Sequence, residues 1–174
     1  MDLKPWKIRA ENKVKEILTE VSDSLSFKTP VPIQDIIEQY VGDVNIVTRV
    51  DIDFPEGVSA FTTKDMNMGW LIVVNGRECT ERQRFSMAHE FGHIVLPIKY
   101  ANKVFCSTNV IGWDEKLCDQ FAGDILMPEN MVHALYKKNS YPLLGDIARA
   151  FKVSWAVAEI QLKKLGLPFR LNTG

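Results

Sequence analysis

Apolar residues recur at helical spacing along Thr80 to Pro97, TERQRFSMAHEFGHIVLP, with Phe85, Ala88, Phe91, Gly92, Val95 and Leu96 on one side. The pattern predicts one amphipathic helix. Thr80 is its expected N-cap, Gln83 three residues later completes a capping box, and Pro97 stops the helix. Upstream, Pro5 to about Ser24 carries a helical stripe of Val14, Ile17, Leu18 and Val21. A short helix follows, Ile33 to Val41, with Ile33, Ile36, Ile37 and Tyr40 apolar and Gly42 at its end. The period then changes. Val44 to Asp51, Val58 to Thr63 and Met68 to Asn75 read as strands, separated by turns at Phe54–Gly57 and Lys64–Asn67.

Beyond Pro97, residues Ile98 to Gly112 have no assignable period, and a loop of that length in a compact domain often borders a functional cleft. Asp114 is the expected N-cap of a helix over Glu115 to Leu126, with Leu117, Cys118, Phe121, Ala122 and Ile125 facing inward. Met127-Pro128-Glu129 opens another helix to about Lys138. The tail predicts a helix over Leu143 to Phe151, a turn at Lys152-Val153-Ser154, and a helix capped by Ser154 and ended by Gly166. In that last helix Val157, Ile160, Leu162 and Leu165 form the expected apolar side. Together these predict an α+β fold: a small, mostly antiparallel sheet packed on helices, the 80–97 helix central, and a helical C-terminal part. We expect one domain, with N-terminal helices at 1–42, sheet and central helices at 43–138, and a helical hairpin at 139–174.

The 174 residues, 46% hydrophobic and 25% charged, suit one domain with a full core. A formal net charge of -1 argues against bulk attraction to nucleic acid or anionic lipid. The N-terminus has no apolar signal region, and WLIVV is among the longest apolar runs, far short of a membrane span. Cys79, Cys106 and Cys118 are odd in number and widely spaced, as in a reducing compartment. The expected location is the cytoplasm.

The central helix contains His89-Glu90-Phe91-Gly92-His93, the H-E-x-x-H pattern. Positions i and i+4 share a helix face, so His89 and His93 can aim two ring nitrogens at one metal ion. Glu90 can then serve as general base toward the attacking water. A catalytic zinc site needs a third protein ligand. Glu115, opening the next helix, is the first candidate, with Asp114, Asp119 and Asp124 as alternatives. Asp119 can instead accept the free ring N–H of a ligand histidine. His133 is a candidate oxyanion or substrate contact. A peptidase often holds its substrate as an added strand, and either strand just before the central helix could offer that edge.

Several of these segments combine into a resemblance. Arg84 to His93, then Glu115-x-x-Cys118-x-x-Phe121-Ala122 running into Ile125-Leu126-Met127-Pro128, the Ile72-Val73-Val74-Asn75 strand, and the tail from Ile147-Ala148 through Leu165-Gly166-Leu167 are similar to the ImmA/IrrE family of metallopeptidases. The resemblance implies a zincin-like fold and a gluzincin-like Zn2+ site with His89, His93 and Glu115 as ligands and Glu90 as base. It implies a protein substrate, a helix-turn-helix repressor of a mobile element or stress response. Where that family usually has Ala, this chain has Cys118, whose thiol could compete for the metal. Two other readings stand beside the peptidase. One is a non-proteolytic interaction module with a structural zinc. The other is a DNA-binding regulator using residues 143–165 as a helix-turn-helix, which the weak basic footprint of the last helix disfavours.

Overall fold

The structure, a computed structural model, describes residues 4–22, 28–65, 69–96, 112–137 and 141–171. Among them seven helices and three strands alternate as α1 (Lys4–Val21), α2 (Ile33–Val41), β1 (Val44–Arg49), β2 (Ala60–Asp65), β3 (Gly69–Asn75), α3 (Thr80–Val95), α4 (Trp113–Leu126), α5 (Glu129–Tyr136), α6 (Leu144–Phe151) and α7 (Trp155–Lys164). The expected ends at Ser24, Met68 and Lys138, and the 98–111 stretch, lie outside the described residues. No helix among the described residues is long and apolar enough to cross a membrane.

Helix periodicity translates directly into burial. On α1, Ala10, Val14, Ile17 and Val21 are buried, and on α2, Ile33, Ile36 and Ile37. Gly42 ends α2 at φ 74, with its N–H donating to the Glu38 carbonyl. Ser154 caps α7, its hydroxyl accepting the Val157 N–H at 3.2 Å.

The sheet corrects the expectation of a mostly antiparallel arrangement. Its order is β1-β3-β2. β2 pairs antiparallel with β3, from Ala60↔Val74 to Asp65↔Gly69. β1 pairs parallel with β3, from Val44↔Trp70 to Arg49↔Asn75. The hairpin partner β3 is therefore interior, which is why its apolar run Ile72-Val73-Val74 is buried throughout. Alternation along a strand tells which face is inside, and carries no information about the direction of its neighbour.

Three helix-level expectations also change. The N-cap of α3 is Cys79, without a side-chain hydrogen bond, so there is no capping box. Gln83 instead turns back on the preceding loop, its amide donating to the carbonyls of Glu78 at 2.7 Å and Gly76 at 3.3 Å. Gly112, not Asp114, sits at the N-cap of α4. On α7, Ile160 is 66% exposed while Gln161 is only 5% exposed. Gln161 shares a helix face with Ala158, Leu162 and Leu165, and Ile160 lies about 150° from the middle of that face.

The buried Gln161 is satisfied by Asp124. Its amide donates to Asp124 Oδ1 at 2.8 Å, and Lys164 Nζ lies 2.8 Å from both Asp124 oxygens. Lys164 also pairs with Glu11 at 2.9 Å, so one network ties α1, α4 and α7. Removing the shared acceptor strands the buried Gln161 amide and leaves the Lys164 ammonium with Glu11 alone. Asp124→Ala is expected to cost about 2–3 kcal/mol in urea unfolding, and Gln161→Leu in the same background to recover part of it.

Candidate metal centre

α3 supplies two histidines, and α4 crosses it closely enough to bring in a carboxylate. Gly92 makes the crossing possible. A Cβ built there would lie 3.1 Å from Phe121 Cδ1 and 3.3 Å from the Cys118 Cα, so only a glycine lets the helices meet without displacement. Phe91 and Phe121 lock the approach edge to face, with ring centroids 5.5 Å apart.

Three donor atoms converge at this crossing. His89 Nε2 lies 3.1 Å from His93 Nε2 and 3.1 Å from Glu115 Oε2. His93 Nε2 lies 3.6 Å from the same carboxylate oxygen. Tetrahedral zinc with nitrogen and oxygen donors at ~2.0–2.1 Å sets neighbouring donors ~3.4 Å apart. The observed triangle brackets that spacing, so these residues fit a divalent ion. His89 Nδ1 faces Asp119 Oδ1 at 2.9 Å. A proton on Nδ1 toward Asp119 leaves the Nε2 lone pair directed into the triangle.

Electrostatics favours the anionic donor. Burial would raise the Glu115 carboxyl, but hydrogen bonds from His89 and His93, when their Nε2 atoms carry protons, outweigh it and hold the group at about 2. Glu115 is thus ionised and ready to ligate at neutral pH. Cys118, one turn further along α4, is fully buried, and its Sγ and one nitrogen of each histidine all lie within 4.8 Å of one another. Burial pushes its thiol up.

The remaining predicted residues sort by place. Glu90 is 2% exposed, buried on α3 between the two histidines in sequence. Asp124, an alternative third ligand, is engaged by Gln161 and Lys164 instead. His133 sits 3.7 Å from Glu129 and lines a groove of about 640 Å³ between α1, α5 and α7. The lining of that groove includes none of His89, His93 and Glu115. Sequence reasoning counted Gly92 among the apolar positions and missed its role as a spacer. Its place between Phe91 and His93, one turn past Ala88, was the available signal.

Residues 47–163 match the IrrE N-terminal-like domain of the M78 peptidases. The chain belongs to the ImmA/IrrE family. It is similar to the radiation response metalloprotease IrrE of Deinococcus radiodurans, at 28% identity over 115 residues, covering 56% of this chain and 35% of that protein. The chain therefore spans about a third of the curated relative it matches. A Mycobacterium tuberculosis transcriptional regulator has a similar fold, with TM-score 0.57 at 14% identity over 89% of this chain and 46% of the other. Membership in a metallopeptidase family implies a divalent metal, and the donor triangle lies within the matched segment.

Gly92→Ala tests the crossing. Helix propensity alone favours alanine by about 1 kcal/mol, but overpacking against a backbone atom and a ring costs about 1–3 kcal/mol. We expect a small net loss of stability and, as α4 shifts, metal affinity lower by about tenfold or more in a chelator competition.

Proposed function

We propose that this chain is a zinc-dependent peptidase domain that cleaves a regulatory protein, a helix-turn-helix repressor, inside the cell. The observation that carries this reading is the triangle of His89, His93 and Glu115 beside the buried Glu90. In this reading His89, His93 and Glu115 hold the ion, and Asp119 fixes the ring of His89. When bound, zinc supplies Lewis acidity that polarises the scissile carbonyl and acidifies water. Glu90 takes the proton of the attacking water and delivers it to the leaving amine. The triangle is partly open, since the Glu115 side chain retains 23% exposure while that of His93 retains 5%. Water and a substrate carbonyl can approach on the Glu115 side.

The substrate segment runs as an added strand along β2. Of the two strands considered for this role, β3 is interior and paired on both sides, and β2 lies at the sheet edge and packs against α3. The DNA reading of α6 and α7 is weakened by pairing: Lys163 is bound to Glu159 at 2.7 Å and Lys164 to Asp124 and Glu11. A non-proteolytic interaction module is the second reading, favoured by Trp155 and Ile160, which stand 53% and 66% exposed on α7.

Glu90→Gln separates the two. In cells co-expressing this chain with a candidate helix-turn-helix repressor, the wild type is expected to shorten the repressor on an immunoblot. The Glu90→Gln protein is expected to leave it intact, with cleavage slower by at least about 10²-fold, while keeping its metal. Undiminished cleavage by Glu90→Gln would remove Glu90 from the mechanism. Binding without cleavage by the wild type would select the interaction module.

A further inference from the structure

The two histidines face two potential ligands from α4, a carboxylate and a thiol. Glu115 approaches from the solvent side, its side chain 23% exposed, and Cys118 from the interior at 0%. They are three residues apart and share the helix face that meets α3. The sulfur has room because Gly92 lacks a side chain: a Cβ there would stand 3.3 Å from Cys118 Sγ. The sulfur, like the carboxylate oxygen, is therefore within reach of the place where both ring nitrogens point.

We propose that the Cys118 thiol is a reserve ligand of this site, unbound while Glu115 coordinates and recruited when that carboxylate is withdrawn. The inference rests on the metal-site reading above. Distance sets the order of preference. The Glu115 oxygen is already 3.1 and 3.6 Å from the two ring nitrogens, the spacing a tetrahedral ion wants. Sulfur at ~2.3 Å from zinc needs ~3.6 Å to each nitrogen. The two histidines and Cys118 offer atoms within 4.8 Å of one another, at most about 1.2 Å beyond that spacing, and a rotation of the Cys118 side chain toward the rings closes the difference. The exchange is balanced. The contact from ion to carboxylate oxygen breaks, a contact from ion to sulfur forms, and the S–H proton leaves to solvent. One anionic donor replaces another, and nothing is oxidised or reduced. The thiolate state draws the ion inward, away from the open side, and holds thiophilic ions such as zinc, cobalt and cadmium in preference to manganese or magnesium.

Cobalt(II) reads the two states directly, because a thiolate ligand adds a sulfur-to-cobalt charge-transfer band in the near ultraviolet. The full chain is loaded with cobalt as wild type, Glu115→Ala, Cys118→Ser and the double variant, with circular dichroism confirming the fold of each. We expect one cobalt and no such band in wild type and Cys118→Ser. Glu115→Ala is expected to retain cobalt with the band, and the double variant to lose both. A folded Glu115→Ala protein that binds no cobalt, or binds it without the band, overturns the proposal, as does a band in the wild type. If the wild type takes up no cobalt at all, the metal-site reading itself fails, and the reserve ligand with it.

Discussion

The close crossing of α3 and α4 at Gly92 is the constraint on which the rest depends. It brings together donors 22 to 26 positions apart, His93 and His89 with Glu115. Nothing in either helix alone makes a three-donor site. The remainder of the fold holds α4 against α3. On its outer side α1 packs with Trp6 against Trp113, ring centroids 5.0 Å apart. At its far end the Asp124 network joins α4 to α7 and α1. α4 is thereby fixed from three directions, and the partly exposed Glu115 at its first turn inherits that rigidity.

The sheet bears on function through its order. With β3 in the middle, buried and paired on both sides, the hairpin presents β2 at an edge beside the histidine helix. The same order shields the longest apolar run of the sheet from edge pairing. An interior β3 thus stabilises the platform, and the edge position of β2 is what the peptidase reading uses.

Much of this was legible in the sequence, for identifiable reasons. The His89–His93 pair follows from helical period alone, and α1, α2 and α4 bury most of the residues whose spacing marks them, Leu18 and Tyr40 only in part. What was misread has a common cause in tertiary competition. Gln83 had the right spacing for a capping box, but nearby loop carbonyls took its amide. Ile160 was assigned inward on hydrophobicity, yet Gln161 took the buried place because Asp124 waits there as an acceptor. The parallel pairing of β1 could not be read, since alternation is the same for either direction. Gly92 was counted as apolar, although its meaning is the absence of a Cβ opposite Cys118.

The central claim is that two helices of this chain build a divalent metal site. Elemental analysis of protein purified without chelator, wild type beside a His89→Ala/His93→Ala double variant, tests it most directly. The account predicts one zinc per wild-type chain and none in the variant, with both folded. A wild-type chain that carries no metal and takes none up on titration would contradict it.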